Sequence, residues 1–193
     1  MRFTWTFLMD GALLGFGLAM DAFSVSVVNG LRNPAMKRKQ MIGIAAVFGL
    51  FQAAMPLIGW VLVRTALDLF HPLKKIVPGA AFCILAVIGI KMLLEGIRGN
   101  EQEAAEETGT GELMLQGLAT SIDALSAGLT MAELSVAAAV TESLVVGLVT
   151  FLICLLGILI GRKAGTRFSG KSAVLGGLIL IAIGIKTIVT GIA

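Results

Sequence analysis

Charge is what this sequence has least of. Asp, Glu, Lys and Arg fill 14% of its 193 positions and hydrophobic residues 57%, with a mean hydropathy of +0.95. Such a chain has too little polar surface to face water, which argues against a soluble enzyme or a nucleic-acid reader and places it in a lipid bilayer. One histidine, His71, and two cysteines, Cys83 and Cys154, each inside an apolar run, supply neither a zinc or copper cluster nor a disulfide framework. Both cysteines read as core packing. Four prolines beside 24 glycines exclude a collagen-like or disordered chain and fit helices whose small residues let backbones approach closely. The net charge of +3 rests on Lys and Arg scattered over short connectors instead of a basic stripe, so no anionic polymer is implied. No G-x-x-x-x-G-K-[ST] loop occurs, so work done across the membrane draws on an ion gradient, the membrane potential or an external partner.

What is present in abundance is apolar sequence long enough to span. Six segments of roughly 17 to 25 residues, the length that crosses about 30 Å of hydrocarbon, lie at 11–31, 41–63, 76–97, 113–134, 143–161 and 173–192. The first follows Arg2 in the manner of a secretory signal, but it is too long, carries Asp21 midway and lacks a convincing cleavage site, so it reads as a true span. Nine Lys and Arg lie in the odd-numbered connectors (32, 37, 38, 39, 98, 162, 163, 167 and 171) against four on the other side (2, 64, 74 and 75). The positive-inside rule then puts the odd connectors in the cytoplasm and both termini outside it.

The chain also repeats itself. GLAMDAFS at 17–24 and ATSIDALS at 119–126 share Asp-Ala-x-Ser at an offset of 102, and Gly59 matches Gly161 at the same offset. IGIKMLLEGI at 88–97 matches IGIKTIVTGI at 183–192 in six of ten positions. These matches predict an all-α integral membrane protein of six transmembrane helices arranged as two three-helix repeats, residues 1–97 and 113–193, joined by an acidic cytoplasmic loop at 98–112. Three being odd, the second repeat enters the membrane inverted, which is a transporter architecture.

Asp21 and Asp123 occupy equivalent mid-span positions, where an ionised carboxylate costs at least a few kcal/mol unless paired or hydrated, on the order of ~3 kcal/mol by insertion scales. Either each Asp is a structural partner for a neighbouring helix, or the pseudo-two-fold axis brings both to the midplane, where such carriers hold cargo. Helical spacing adds Ser24 on the face of Asp21, and Thr120, Ser126 and Thr130 on that of Asp123. Such hydroxyls commonly bond back to the preceding turn, which makes them a hydrated lining more than dedicated ligands. In the second span Pro56 has no N–H for the carbonyl of Gln52, so Gln52 offers both that carbonyl and its side-chain amide; a packing kink with Gln52 bonded across helices is the alternative. Lys91 and Lys186 are a second matched pair of intramembrane charges. They either snorkel to the interface or act as countercharges to the aspartates. Two carboxylates with neutral oxygens make a hard site for a divalent cation such as manganese or magnesium, and the residues alone reach only a carrier of divalent cations or of small solutes coupled to protons.

GLAMDAFSVS, ATSIDALSAGL, FGLFQAAMPLIGW and GGLILIAIGIK resemble the hallmark motifs of the bacterial manganese efflux pump family (MntP type), over all six spans. The resemblance implies a multi-pass inner-membrane exporter of Mn2+ and not an enzyme, with Asp21 and Asp123 central to transport. Some members have Glu at the position of Gln52, so an acidic ligand there is not carried over. The expected partners are Mn2+ as cargo, protons as the coupling ion and the lipid bilayer. No cofactor, nucleic acid or obligatory protein partner is expected. Two other readings stay open on sequence: export of an amino acid or other small solute through its ammonium group, and a non-transporting scaffold whose acidic loop recruits a soluble protein.

Overall fold

In the computed structural model the described residues are 5–65, 82–83, 86–90, 93–94, 97, 109–131, 133–167 and 172–192. Among them all regular structure is helical: α1 (Trp5–Arg32), α2 (Arg38–Thr65), α3 (Thr110–Thr120), α4 (Ile122–Thr130), α5 (Val136–Arg167) and α6 (Ser172–Ile192). Three stretches are long and apolar enough to cross a membrane, Phe7–Arg32, Arg38–Arg64 and Val136–Gly165, and they correspond to the first, second and fifth expected spans. Much of the third expected span, with Lys91, falls outside the described residues. Residues 86–90 within it are helical.

The helices wear their apolar residues on the outside. On α5, Leu144, Leu148, Leu152, Leu156 and Leu159 recur at about one per turn and are 48 to 61% uncovered, while Val146, Cys154 and Ile158 on the opposite side are fully buried. In water that leucine stripe would be an aggregation face; in a bilayer it meets lipid, while the interior packs large apolar side chains such as Phe48, Ile158 and Leu180 beside small and polar ones. Cys83 is uncovered as well, which corrects the expectation that both cysteines pack the core: only Cys154 does, because only its helix face turns inward.

Two crossings organise the bundle. Gly15 of α1 sits against Val146 and Val149 of α5, and Gly30 lies against Ile158 and Arg162, so α1 and α5 run parallel. α2 likewise runs parallel to the chain through α3 and α4, with Gln52 bonded to Thr120 at the end of α3, Gly59 against Leu125 of α4, and Trp60 bonded to Leu134 just past α4. The five residues 33–37 between α1 and α2 force those two antiparallel, so α1 and α4 point in opposite directions. At the first crossing a Cβ on Gly30 would overlap the Ile158 carbonyl and stand 2.9 Å from Arg162 N; at the second, a Cβ on Gly128 would overlap the Pro56 carbonyl and stand 2.7 Å from Trp60 N. Pro56 and Ile158, and likewise Trp60 and Arg162, are 102 residues apart, the offset of the Asp motifs. The two contacts differ in register: Gly30 is nine residues after Asp21, Gly128 five after Asp123.

The same two positions tie down the chain leaving the opposite helix. Trp60 Nε1 donates to Leu134 O at 3.3 Å, with the Arg64 guanidinium 4.5 Å from the Trp60 ring centroid. Arg162 Nε donates to Pro34 O at 3.0 Å. Between the crossings, Gly147 of α5 packs on Gly49 and Ala53 of α2. Elsewhere Gly177 of α6 approaches the backbone of Gly89 and Leu93.

Pro56 does not interrupt α2, which continues through it. The break comes instead in the fourth expected span, read from sequence as one regular helix. At Ser121, with φ −105° and ψ 8°, α3 ends and α4 begins. The Ser121 N–H closes a tight turn onto Leu118 O at 3.3 Å, and its hydroxyl donates to Gly117 O at 2.8 Å. A serine that offers the backbone a local partner competes with the helical ladder, and here the competition ends the helix. The consequence corrects an expected face: Thr120 belongs to α3 and Asp123 to α4, so the two do not share one helical stripe.

Candidate functional site

The site is organised around a side chain that carries no charge. Gln52 on α2 is completely buried, and its Nε2 donates two hydrogen bonds, to Leu18 O on α1 at 3.2 Å and to Thr120 O on α3 at 3.0 Å. Leu18 precedes Asp21 by three residues and Thr120 precedes Asp123 by three. One amide thus clamps equivalent carbonyls of the two Asp motifs, each three residues before its carboxylate. Its Oε1 is buried and finds no hydrogen-bond partner among the described residues. A buried amide oxygen without a partner costs about 1–3 kcal/mol, which points to an acceptor held for something other than the fold.

Why Thr120 O accepts a side chain follows from the helix break. Its helical partner would be the N–H of Ala124, but that N–H donates to Asp123 Oδ1 at 2.9 Å. The Asp123 carboxylate, in the first turn of α4, caps its own helix and sits where the helix dipole favours negative charge. Broken helices with carbonyl and carboxylate oxygens at the break are how membrane proteins present ion ligands at depth. Asp21 lies on unbroken α1 and is half-buried; Asp123 is exposed to whatever fills the space beside it.

The hydroxyls behave as their spacing predicts. Ser24 Oγ donates to Met20 O at 3.0 Å and Thr120 Oγ1 to Gln116 O at 2.9 Å. Their protons face the preceding turn and their oxygen lone pairs are left to accept. Ser126 is half-buried on α4. The side chains of Thr130 and Lys186, like all of Lys91, lie outside the described residues. Among the described residues no three His, Cys, Asp or Glu side chains gather into a metal cage.

Sequence reasoning missed several buried polar groups. Thr150 and Ser143 on α5 have buried hydroxyls without hydrogen-bond partners among the described residues. Asn29 and Gln116, also fully buried, bond to each other across 87 residues at 2.8 Å. A lone amide within an apolar run was the available signal for both; their pairing is not legible from sequence.

A family described as "Putative manganese efflux pump" matches residues 35–188. The chain is 39% identical over 186 residues to a protein of Methanothermobacter thermautotrophicus with the name "Putative manganese efflux pump MntP", covering 96% of this chain and 98% of that one. A namesake from Clostridium perfringens strain 13 is 38% identical over 204 residues, covering 93% and 94%. One from Methanosphaera stadtmanae is 37% identical over 174 residues, covering 90% and 94%. No solved structure matches. With its three long apolar helices and near full-length similarity to these relatives, the chain is a multi-pass membrane protein that belongs to the manganese efflux pump family.

Proposed function

We propose that this protein exports Mn2+ from the cytoplasm by alternating access, exchanging it for protons, with Asp21, Asp123 and the Gln52 Oε1 as the central ligands. The observation that carries this reading is the Gln52 clamp: one buried amide joins equivalent carbonyls of both Asp motifs through its Nε2, and its Oε1 has no hydrogen-bond partner among the described residues. Two carboxylates balance the two charges of the cation, and the amide oxygen with the Ser24, Thr120 and Ser126 hydroxyls supplies neutral hard donors. The two matched glycine crossings and the opposed directions of α1 and α4 support two inverted repeats, and the Lys and Arg bias of the connectors supports termini outside the cytoplasm. In this scheme Mn2+ arrives from the cytoplasm and displaces protons from the aspartates. Rocking of one repeat against the other opens the site outward, and protonation of the carboxylates releases the ion.

Flux in proteoliposomes tests this directly, with Mn2+ and Mg2+ in parallel and a pH dye recording protons. Wild type is expected to move Mn2+ with opposite proton flow, and Asp21→Asn and Asp123→Asn each to abolish that movement while inserting normally. Full flux in both single variants at normal membrane levels would refute the assignment of the aspartates. Mn2+ movement without proton flow would refute the antiport alone.

A further inference from the structure

Away from the central site a second polar assembly joins α1 and α3. Asn29 and Arg32, three residues apart on the last turn of α1, face Glu112 and Gln116, four apart on the first turns of α3. Arg32 Nη1 is ion-paired with Glu112 Oε1. Gln116 Nε2 donates to the same Oε1 at 3.2 Å, and Asn29 Nδ2 donates to Gln116 Oε1 at 2.8 Å. The four side chains form one continuous donor and acceptor chain between the repeats. It is covered although it sits at helix ends: the Arg32 side chain is 5% exposed and that of Glu112 20%, and Arg32 Nε is buried with no partner among the described residues.

From these contacts we infer that Arg32 and Glu112 form a latch that closes the cytoplasmic mouth of the transport path. The inference rests on the orientation proposed above, in which the end of α1 and the start of α3 face the cytoplasm. The latch spans the two repeats, so rocking them apart at this end must break it. It joins α1, which carries Asp21, to α3, which precedes the helix of Asp123, and it lies toward the α1–α2 junction with its Lys37, Arg38 and Lys39. Its chemistry suits opening. A buried ion pair gains Coulomb attraction but loses hydration, and the two nearly cancel. When the mouth opens to water both ions recover their hydration, so the closed and open forms are poised close in energy in a way that an apolar plug is not. The incompletely bonded guanidinium tilts the balance further, since Nε gains a water partner only on opening.

Thiol accessibility tests this without any cargo, so its outcome is independent of whether Mn2+ is the substrate. Thr120, fully covered and one turn beyond Gln116 toward the centre, reports from behind the latch. In a Cys83→Ser/Cys154→Ala background carrying Thr120→Cys, a membrane-impermeant maleimide is applied from the cytoplasmic face. Slow modification is expected with the latch intact, at least tenfold faster modification in Arg32→Gln and in Glu112→Gln, and a return to the slow rate in the charge swap Arg32→Glu/Glu112→Arg. Equal rates in all four proteins, fast modification only from the outer face, or a swap that stays as fast as the single variants would each overturn the latch. Because a misfolded single variant would also be reactive, the swap carries the decision: restored protection requires the pair itself.

Discussion

Replacing Gln52 with methionine separates the two roles that its amide plays. Methionine has nearly the same length and no hydrogen-bonding groups, so the change deletes the bonds to Leu18 O at 3.2 Å and Thr120 O at 3.0 Å together with the unpartnered Oε1. Leu18 O lies within continuous α1, and its loss amounts to one ordinary hydrogen bond, about 1 kcal/mol. Thr120 O is worse placed, because the Ala124 N–H is turned to Asp123; leaving it bare costs about 1–3 kcal/mol. Removing the buried Oε1 returns a similar amount, about 1–3 kcal/mol. The sum is a destabilisation of about 1 kcal/mol, small against the roughly 5–15 kcal/mol that holds a typical domain together. Transport should respond differently. A cation losing a neutral oxygen at a desolvated site forfeits a contact comparable to a hydrogen bond to a charged group, about 1.5–3 kcal/mol, which is roughly ten- to hundredfold in affinity. The expected result for Gln52→Met is therefore near-normal unfolding in a denaturant titration with Mn2+ flux at subsaturating metal reduced about tenfold or more. Wild-type flux in this variant would refute Gln52 as a ligand. Unfolding at a cost well above ~3 kcal/mol would show that the amide is structural and that the accounting for Oε1 is wrong.

Other expectations test the scaffold and the site together. Gln52→Glu keeps an oxygen at the Oε1 position and adds a titratable charge, so it should transport, with a steeper dependence on pH than wild type; a flux as low as that of Gln52→Met would contradict the ligand assignment. Gly161→Ala places a Cβ against the Val27 carbonyl and 3.0 Å from Leu31 N, both backbone atoms that cannot turn aside, whereas Gly43→Ala meets nothing within 4 Å. The first should destabilise the protein by about 1–3 kcal/mol and the second should not, as read from denaturant midpoints; equal midpoints would mean that the α1–α5 crossing is looser than described. Because Cys83 is uncovered and Cys154 buried, a lipid-soluble maleimide should modify the folded protein once per chain, at Cys83, and twice only after unfolding. Mass spectrometry of the intact chain decides this, and modification at Cys154 in the folded state would contradict the packing of α1 on α5.

Membrane location, the positions of the three long helices and the paired Asp motifs were all legible in the sequence, because each depends on local composition or on a repeat spacing. A bilayer makes span length nearly a matter of counting, and a carboxylate in mid-span announces itself by its cost. The glycines at 59 and 161 were visible as matched residues too, though not what they touch. Tertiary structure alone decided the rest. Ser121 is neither proline nor glycine, and whether its hydroxyl breaks the helix depends on the neighbours that donate to the carbonyls so released. Gln52 seemed to draw its interest from Pro56, yet α2 runs on through the proline and the amide matters for bridging positions 18 and 120. Arg32 read as one of several cytoplasmic cations and Glu112 as the end of an acidic loop, while folding buries them against each other across 80 residues. Local sequence determines which groups must leave water; only the packing of distant helices determines which partners they meet there, since a buried hydrogen bond or ion pair gains its energy from geometry that no single segment contains.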